Sequence, residues 1–599
     1  MPLASRLRPI AQIGPITLFE LVFRKLVKRA RCGRMLRAVP QSNAVARWKA
    51  LPPLERSAVL EADQERIIQR ADAMLRDENI FFSFPYHLHG IERPWEYDPL
   101  EKKYWPHRHY SERTLHAVDT PRDVKIVWEI NRFKDLPTLG QATLLTEDKK
   151  YAEEAERRMI LWIEGNPFAS TINWASALEL SIRLIAWTTT IALMNEATQK
   201  LHPKIAHSIY EQVCYLAGDL STDKVVPTNH LIGEAAGLYI VSSLWDFPGS
   251  RRFAKLAKKI LEREMLRQTF PDGVTREASS WYHQFVTDFC DLADRIAEST
   301  GDRFGEQFYA RLAEMKAYLE TMTACGSLVR YGDADDGWAL WLEGDSVAWK
   351  HAIFGPAPTT ATKPSIPYHP YAKLVEAHLK NSFLFLRAGE FGMGGAGHAS
   401  HAHDDFLSPI IYLAGLPVLV DPGTFVYNGD PIHRKQYRGA DAHNGIIIGD
   451  GTGALQKLNF GWNRVRPDAM ILEADLTERD ATVSAQYGEW PQHRRILKIK
   501  SESAILSDRF DRSDGLPCTW HLHLSPEWSL MEKNEGHYRF QNLTGHHLNI
   551  NAHGNFEKIE IMPYDYSPSY HVAVPGTMLR FSAMNPSGVY AILLTIESA

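Results

Sequence analysis

The chain has 599 residues, and single hydrophobic cores stop growing at about 250–300 residues, so we expect at least two domains. Hydrophobic residues make up 44% and charged residues 23% of the chain, values that exclude a mostly disordered or fibrous protein. The formal net charge of -5 at pH 7 provides no general basic surface, so a nucleic-acid partner is not expected.

The N-terminal region, residues 1–120, predicts an irregular structure with aromatic loops. Pro, Trp, Tyr and His are frequent in it, as in FFSFPYHLHGIERPWEYDPLEKKYWPHRHYSE (81–112), and such loops pack on a neighbour or line a sugar-binding cleft. Residues 24–37, RKLVKRARCGRMLR, are strongly basic. This composition is typical of a solvated face, and peripheral contact with an anionic membrane is the alternative.

The first residues do not predict a standard signal peptide, because Pro9, Pro15 and Glu20 interrupt the apolar part and no small-residue cleavage motif follows. A cytoplasmic location is therefore favoured over a periplasmic or envelope-associated one. No window approaches the roughly 18 uninterrupted apolar residues of a membrane-spanning helix. The cysteines are odd in number and form no CxxC motif, which predicts neither a disulfide framework nor a thiolate metal site. They are Cys32, Cys214, Cys290, Cys325 and Cys518.

Residues 121–353 predict a helical domain, because apolar positions recur at spacings of three and four. About seven amphipathic segments follow one another, separated by turn sequences such as GNP and PDG. The segments lie at roughly 137–164, 174–195, 203–219, 229–246, 250–268, 277–299 and 304–325. Short loops favour antiparallel helical hairpins, which either close into an α/α toroid or continue as a solenoid; periodicity alone does not separate the two.

Residues 354–373, FGPAPTTATKPSIPYHPYAK, contain five prolines and no sustained period, which predicts an interdomain linker. From residue 374 to residue 599 the pattern changes to short apolar runs, rich in β-branched and aromatic residues and separated by turns. Many antiparallel strands of this kind predict a β-sandwich.

The stretch GHASHAHDDFLSPIIYLAGLPVLVDPGTF places histidines and aspartates directly before an apolar run that predicts a buried strand. Imidazole and carboxylate groups are costly to bury unless they are paired, hydrogen-bonded or bound to a metal. His401, His403 and Asp405 alternate along the chain, so on a strand their side chains would share one face. The stretch is therefore the first candidate for a functional site.

A metal site can be assembled from one residue of that stretch together with Asp421 of VDPG and His443 of DAHNG. Two imidazoles and one carboxylate, with a fourth position open, suit zinc. The alternative is a set of hydrogen-bonded loop residues, because scattered His and Asp residues are a weaker signal than CxxC pairs.

Eight motifs along the chain form an ordered set. They are NRFKDLPTLGQA (131–142), NWASALELSIRLIAW (173–187), TNHLIGEAAGLY (228–239), REASSWYHQF (276–285), GDADDG (332–337), HAHDDFLS (401–408), VDPGTF (420–425) and YRGADAHNG (437–445). In this order they resemble the heparinase II/III-like polysaccharide lyases, over roughly residues 80–450. The resemblance implies a multidomain α+β fold, with an N-terminal α/α toroid of helical hairpins followed by a C-terminal antiparallel β-sandwich.

The resemblance also implies a divalent metal, most simply zinc, on His403, Asp421 and His443. It places His401 toward the substrate, where an imidazole can neutralise charge or transfer a proton near pH 7. A surface histidine with a purely structural partner is the alternative for His401.

Two further residues take catalytic roles in the resembling family. Asn229 would neutralise the substrate carboxylate, although an asparagine at the start of a predicted helix also has good N-cap chemistry. Tyr282 would serve as acid and base, although a tyrosine in a helical apolar pattern is most often a core residue. Substrate contacts are expected from His230, Tyr437 and Arg438.

The acidic motif GDADDG contains Asp333, Asp335 and Asp336. It lacks the full EF-hand pattern, because no Glu occupies the twelfth position. We predict a turn at the end of the helical domain.

The expected function is that of a lyase that cleaves a uronic-acid-containing polysaccharide by β-elimination and leaves a 4,5-unsaturated uronide. Asn229 and His401 would neutralise the C6 carboxylate, where charge develops. Tyr282, as tyrosinate, would take the C5 proton and return a proton to the glycosidic oxygen, if nearby positive charge lowers its pKa from about 10. The substrate would be a glycosaminoglycan-like polymer or a bacterial exopolysaccharide.

Two other functions fit the same sequence. A glycoside hydrolase on the same scaffold would need a pair of carboxylates, for which the GDADDG motif is the dense acidic candidate. A non-catalytic polysaccharide-binding protein would keep the aromatic loops and would tolerate the loss of Tyr282.

Overall fold

A computed structural model gives the arrangement of most of the chain. It describes residues 47–48, 61–108, 121–194, 201–223, 228–323, 325–361, 367–393, 399–449, 454–457, 461–464, 468–488, 490, 492–511 and 515–597. The basic run at 24–37 lies outside these residues, so its membrane contact stays a prediction. Among the described helices, none is both long enough and apolar enough to cross a membrane.

Helices dominate residues 61–354, which we call the helical region. They are α1 (Glu61–Leu75), α2 (Val124–Asn131), α3 (Leu136–Thr146), α4 (Lys149–Gly165), α5 (Ala177–Leu193), α6 (Pro203–Gly218), α7 (Asn229–Leu244), α8 (Ser250–Gln268), α9 (Ser280–Thr300), α10 (Glu306–Thr323) and α11 (Ser346–Phe354). Each predicted helical segment is confirmed. The first is divided between α3 and α4, because Glu147 adopts a left-handed φ of 60° and Asp148 caps the next helix.

The described part of the N-terminal region, residues 47–48 and 61–108, contains a helix that was not predicted. Ile67, Ala71 and Met74 of α1 are fully buried in the main apolar core of the helical region, and α1 packs against α3. The expectation of irregular structure is wrong here, because an apolar stripe at three- and four-residue spacing stabilises a helix once it packs. Short strand pairs follow it: β2 (Asn79–Phe81) with β3 (Phe84–Tyr86), and β4 (Tyr97–Asp98) with β5 (Lys103–Tyr104). The pair β1 (Arg47–Trp48) and β6 (Trp245–Asp246) joins distant parts of this half.

Helix α7 lies at the centre of the helical region and carries Asn229 at its first position. It packs against α5, α8 and α9. Two glycines allow the close approach: a Cβ on Gly233 would lie 2.5 Å from Leu178 Cδ1, and one on Gly237 would lie 2.0 Å from Ser181 Oγ. Ser181 Oγ also donates to the Gly233 carbonyl at 2.6 Å. The motif NHLIGEAAGLY therefore fixes the place of Asn229.

Helix α9 begins with a serine cap that ties it to the acidic motif. Ser279 Oγ accepts from the Tyr282 N–H at 3.1 Å and donates to the Asp333 carbonyl at 2.6 Å. Tyr282 is therefore held in the first turn of α9, next to residues 332–337.

Strands dominate residues 367–597, which we call the sheet region. They are β7 (Tyr368–His369), β8 (Leu374–Leu379), β9 (Ser382–Arg387), β10 (Ile410–Leu413), β11 (Leu416–Leu419), β12 (Ile446–Ile448), β13 (Leu455–Lys457), β14 (Gly461–Arg464), β15 (Ala469–Leu476), β16 (Asp480–Tyr487), β17 (His493–Lys500), β18 (Ser503–Phe510), β19 (Cys518–His523), β20 (Ser529–Asn534), β21 (His537–Gln541), β22 (His547–His553), β23 (Lys558–Ser569), β24 (Val572–Ala583) and β25 (Gly588–Glu597). One helix, α12 (Pro431–Arg438), is inserted among them. Because β7 pairs with β8, the sheets begin inside the predicted linker.

Three antiparallel sheets form the body of this region. Their strand orders are β11-β10-β9-β8-β7, β12-β19-β24-β23 and β15-β16-β17-β18-β25-β22-β21-β20. Burial alternates along β17 and β18, as period-two side-chain placement requires, and residues of all three sheets share one apolar cluster. The predicted change from helices to antiparallel strands is confirmed.

The two regions meet through aromatic side chains. Tyr427 and Tyr570 of the sheet region belong to the apolar cluster of the helical region. Tyr570 Oη donates to Asp123 Oδ2 at 2.6 Å, and Arg330 donates to the Pro568 carbonyl at 2.6 Å. The residues singled out in the sequence lie around this junction.

Candidate active site and metal centre

The Asp333 carboxylate joins both histidines of the HAHDD motif to an arginine. Its Oδ2 accepts from His401 Nδ1 at 3.0 Å and its Oδ1 from His403 Nε2 at 2.8 Å. Arg434 of α12 donates to both oxygens, at 2.5 and 2.6 Å. Burial disfavours the charged form, but Arg434 and the two imidazoles hold the pKa of Asp333 well below its ordinary value. Asp333 is therefore a buried anion that orients both imidazoles.

Residues 399–409 form no strand, so the expectation drawn from the alternating motif is wrong. Arg438 donates to three backbone carbonyls of residues 399–402, at 3.2 to 3.3 Å, and Arg387 pairs with Asp405. Arginine side chains satisfy carbonyls that a neighbouring strand would otherwise have satisfied, so the segment bends. Asp405 is paired with Arg387, and its charge still acts on His403.

The rings of His401 and Tyr282 are stacked, with centroids 3.6 Å apart and planes 20° apart. Both residues are buried at the junction of the two regions, with 7% and 6% exposure. The second imidazole nitrogen, Nε2, lies 3.6 Å from Glu277 Oε2. His401 therefore lies between two carboxylates and against a phenol.

The Tyr282 hydroxyl donates to Asp335 Oδ2 at 3.2 Å and accepts from the Tyr427 hydroxyl at 3.2 Å. Lys125 Nζ lies 2.9 Å from the same Asp335 oxygen. Burial, followed by the charge of Asp335, raises the pKa of Tyr282 well above its ordinary value. The expected lowering by nearby positive charge is not found, because the charged group in contact with this hydroxyl is a carboxylate.

Asn229 does not cap α7, so the capping alternative is wrong. The N-cap residue is Thr228, and Asn229 is the first helical residue. Asn229 Nδ2 donates to Glu277 Oε2 at 2.8 Å, and its backbone N–H donates to Glu277 Oε1. Glu277 Oε2 is also the oxygen that faces His401, so Asn229, Glu277, His401 and Tyr282 form one connected group.

The three expected metal ligands come together. One ligand atom each from His403, Asp421 and His443 lies within 4.8 Å of the others, and all three residues are buried. His443 Nδ1 lies 3.0 Å from Asp421 Oδ2. His403 Nδ1 and His443 Nε2 have no hydrogen-bond partner among the described residues. A buried unsatisfied polar atom costs about 1–3 kcal/mol, and these two nitrogens and the Asp421 carboxylate are ligand types that suit a divalent ion.

Backbone contacts hold the carboxylate ligand and one imidazole ligand. The Gly423 N–H donates to Asp421 Oδ1 at 2.9 Å. Gly423 has a φ of +81°, and a Cβ there would lie 2.3 Å from a backbone carbonyl oxygen, so the VDPG turn requires glycine. Asn444, next to His443, donates to the Val420 carbonyl at 3.0 Å. The two motifs are thereby joined beside the ligands.

The three predicted substrate contacts have different environments. Arg438 is fully buried, and burial lowers its pKa to about 9. Its bonds to residues 399–402 give it a structural role in this structure. Tyr437 is 3% exposed and its ring stacks near Phe425, whereas His230 is partly exposed on the first turn of α7. A contact of these residues with a polymer stays a prediction.

Sequence reasoning gave Asp333 and Asp335 a role only in the hydrolase alternative, and it fixed no role for Glu277, Arg434 or Tyr427. The GDADDG motif has no helix or strand, as predicted, but two of its carboxylates face the site. The available signal was the density of ionisable residues in both GDADDG and HAHDD.

Two family models match the chain. One is described as Heparinase II/III N-terminus and matches residues 52–339; the other is described as Heparinase II/III-like, C-terminal, and matches residues 359–589. Between them they cover most of both regions and every residue of the connected group. The chain belongs to the heparinase II/III family. In this heparinase II/III-like protein, the N-terminal match contains Asn229 and Tyr282, and the C-terminal match contains His401 and the candidate metal ligands His403, Asp421 and His443.

Two curated proteins similar to this heparinase II/III-like chain are both named heparin-sulfate lyase. The one from Bacteroides stercoris is 22% identical over 284 residues, which are 43% of this chain and 40% of the relative. The one from Pedobacter heparinus is 26% identical over 176 residues, 28% of this chain and 26% of the relative. The chain therefore aligns with less than half the length of either relative.

Solved structures of the family share the fold. A structure of heparinase III has a TM-score of 0.61 at 16% identity, covering 94% of this chain and 89% of that chain. A structure of a heparan sulfate lyase from Pedobacter heparinus has a TM-score of 0.53 at 16% identity, covering 96% and 88%. At this identity the likeness establishes a heparinase III-like fold, with helices followed by antiparallel sheets.

Proposed function

We propose that this protein is a polysaccharide lyase that cleaves a uronic-acid-containing glycosaminoglycan by β-elimination. The observation that carries the proposal is the connected group in which His401 stacks on Tyr282 and shares Glu277 with Asn229. Elimination needs neutralisation of the C6 carboxylate and a group that moves protons between C5 and O4. Family membership and the printed names of the two curated relatives support the same activity.

The hydrogen-bond donors of Asn229, His401 and Tyr282 suggest the catalytic role of each residue. The Asn229 amide has two N–H hydrogens, of which one is used for Glu277, so the other can neutralise the substrate carboxylate together with His401. The Tyr282 oxygen takes the C5 proton and gives a proton to O4 as the C4–O4 bond breaks. The group is buried, so water is excluded from the reacting atoms, and the polymer must separate the two regions locally to enter.

We also propose that zinc binds at His403, Asp421 and His443. His403 uses Nε2 for Asp333, which leaves the buried Nδ1 for the ion, and a carboxylate on the other nitrogen is the usual support of a metal-bound histidine. Bound there, the ion supplies a fixed positive charge that stabilises the segments presenting His401. The proton transfers themselves are assigned to side chains.

The closure of the helical hairpins into an α/α toroid, and the face-to-face packing of the sheets as a β-sandwich, are part of the same proposal. Support comes from the central position of α7 between neighbouring helices and from the apolar cluster shared by the three sheets.

The hydrolase alternative is less favoured, because the acidic motif has no carboxylate placed as a proton donor. Asp333 is engaged by Arg434 and Asp335 by Lys125, and despite burial the pKa of each carboxyl is lowered. Asp336 accepts from the Tyr570 N–H at 2.7 Å. A general acid would instead need a raised pKa.

The test is incubation of purified protein with heparan sulfate, heparin, hyaluronan, chondroitin and alginate. A lyase produces an ultraviolet-absorbing unsaturated uronide from at least one polymer. Reducing ends without that absorbance would identify a hydrolase, and binding without cleavage would identify a binding protein.

A further inference from the structure

Hydrogen bonds run in series through the Tyr282 hydroxyl. The Tyr427 hydroxyl donates to Tyr282, and Tyr282 donates to Asp335 Oδ2, each at 3.2 Å. An ionised carboxylate has no hydrogen to donate, which fixes the direction of the second bond. Asp335 Oδ1 accepts from the Gly337 N–H at 3.2 Å, and Lys125 Nζ lies 2.9 Å from Oδ2. The carboxylate is therefore fixed in place with its oxygen toward the phenol.

The surroundings of Tyr282 oppose a stable tyrosinate. Three carboxylates from neighbouring elements act on it: Asp335 in direct contact, and Asp333 and Glu277 at longer range. Among the described residues, the Tyr427 hydroxyl and the His401 imidazole also contact Tyr282, whereas Lys125 pairs with Asp335 and Arg434 with Asp333. A mechanism that begins from an ionised phenol therefore conflicts with this arrangement, whereas a neutral phenol can react if its own proton can leave.

We propose that Asp335 is a positioning residue that accepts the Tyr282 hydroxyl proton during C5 deprotonation and returns it during elimination; this rests on the proposed lyase function. As the C5–H bond breaks, its proton goes to Tyr282 Oη and its electron pair stays on the sugar as the enolate of the neutralised carboxylate. In the same step the original phenol proton moves to Asp335 Oδ2. When the C4–O4 bond breaks, its electron pair leaves with O4 and the enolate's electron pair forms the C4–C5 double bond. Tyr282 protonates O4, and Asp335 returns its proton to Tyr282.

The pairing of Asp335 with Lys125 suits this task. The Lys125 ammonium favours the ionised Asp335 carboxylate in the resting protein, so Asp335 is unprotonated when the substrate binds. A protonated Asp335 beside that ammonium is also a good acid, which favours return of the proton. Lys125 is itself held near Glu129, at 3.4 Å, so it stays beside the carboxylate.

A double-mutant cycle on the full-length protein tests this proton relay between Tyr282 and Asp335. The substrate is whichever of the five polymers named above the protein cleaves. Asp335→Asn keeps the size of the side chain but removes its ability to accept the proton, and we expect kcat to fall by about 10²-fold with KM unchanged. In a Tyr282→Phe background the same substitution should have no further effect. An equal loss in both backgrounds would overturn the relay and leave a structural role. Asp294→Asn, a buried carboxylate on α9 that accepts from the Thr359 N–H, is the matched control.

The pH profile gives a second readout. Without its proton acceptor, the Asp335→Asn protein can react only through tyrosinate, so its kcat should rise about tenfold per pH unit up to the Tyr282 pKa. The unmodified protein should show no such rise. Parallel profiles for the two proteins would overturn the proposal.

A titration that needs no substrate separates this proposal from the lyase function. The ionisation of Tyr282 is measured as the part of the tyrosinate absorbance that the Tyr282→Phe substitution removes. The measurement is made in two backgrounds, one with Asp335 and one with the Asp335→Asn substitution. Loss of the carboxylate should move this ionisation to lower pH; an unchanged midpoint would overturn the coupling even if the polymer is cleaved. A shifted midpoint in a protein that cleaves no polymer would overturn the lyase function and uphold the coupling.

Discussion

The imidazole of His401 lies flat on the phenol ring of Tyr282, with 3.6 Å between the ring centroids. His401 comes from the sheet region and Tyr282 from the first turn of α9, so this stack forms only when the two regions are docked. Asp333 and Glu277, both from the helical region, lie near the two nitrogens of the same imidazole. The candidate active site is therefore assembled from both parts of the chain.

Replacing His401 with alanine should lower turnover by about 10²-fold while changing the melting temperature less than His403→Ala does. The reason is that His401 loses a ring contact worth about 0.5–1.5 kcal/mol, whereas Asp333 keeps Arg434 and His403 as partners. Product absorbance and calorimetry measure the two effects. Unchanged turnover would remove His401 from the reaction.

Replacing Tyr282 with phenylalanine should leave the fold intact and lower elimination by about 10²-fold or more, because the proton carrier between C5 and O4 is lost. Tyr239→Phe is the matched control, since Tyr239 also has a buried hydroxyl next to a carboxylate, that of Asp302, at 3.3 Å. Near-native turnover of the Tyr282 variant, or an equal loss in the control, would count against the assignment.

Replacing Asn229 with alanine should reduce turnover far more than it reduces stability, because Thr228 already occupies the cap position. The stability loss should be about 1–3 kcal/mol, the cost of leaving part of the Glu277 carboxylate unpaired. Denaturant unfolding and steady-state kinetics are compared on one preparation. If the activity loss disappears once the folded fraction is taken into account, Asn229 serves stability alone.

Removal of the metal, or His403→Ala, should lower the melting temperature and turnover together, because an ion bound only to the folded state stabilises it. Elemental analysis should find one equivalent of zinc per chain. His378→Ala is a control that leaves the metal-binding group intact, since His378 Nε2 contacts the Thr321 carbonyl instead. Absence of stoichiometric metal, with melting indifferent to chelator, would leave the group as a polar network.

Acid should weaken the sheet region through Asp508. This buried carboxylate accepts from His493 Nε2 at 2.8 Å and from Arg495 Nε at 2.9 Å, and Arg495 also donates to the carbonyl of Asn444 beside the metal-binding group. Burial opposes ionisation, but Arg495 and His493 lower the pKa of Asp508. A lowered pKa gives stability that is present above the unfolded value of about 3.9 and is lost as pH falls through the folded value.

Asp508→Asn should therefore cost about 3–5 kcal/mol of unfolding free energy near pH 7, since it leaves the Arg495 charge buried and unpaired. The difference in unfolding free energy between the variant and the unmodified protein should become smaller below about pH 4, because protonation of Asp508 removes the same stabilisation from the unmodified protein. Urea unfolding at several pH values measures it. A difference that is constant with pH would show that Asp508 ionisation is not the cause.

Helix and strand placement could be predicted from the sequence because it depends on local spacing. The apolar periods located α5 to α10 and the change to strands, and the turn chemistry of VDPG located Asp421. The segment around His401 could not be placed in this way: alternation predicted a strand, but Arg438 and Arg387 provide side-chain partners for backbone that a strand would have paired.

The candidate metal ligands and the connected group differ in how much of each could be predicted from the sequence. Asp421 and His443 are metal-ligand types in the sequence, and the family resemblance selects His403 among the nearby histidines. Asp333 and Glu277 have no such signal, since a lone carboxylate is usually solvated; their roles depend on contacts made across 68 and 48 residues of chain. Long-range pairing of this kind is set by packing, which no single motif encodes.

Asp333 belongs to the helical region, whereas the His403 imidazole that it orients and the Arg434 that neutralises it belong to the sheet region. A fragment that begins at the C-terminal family match would carry all three candidate metal ligands but lack the carboxylate that sets the His403 ring. A chimera that takes its C-terminal half from a relative should keep the orientation of the His403 ring only if that half also brings an arginine that pairs with Asp333.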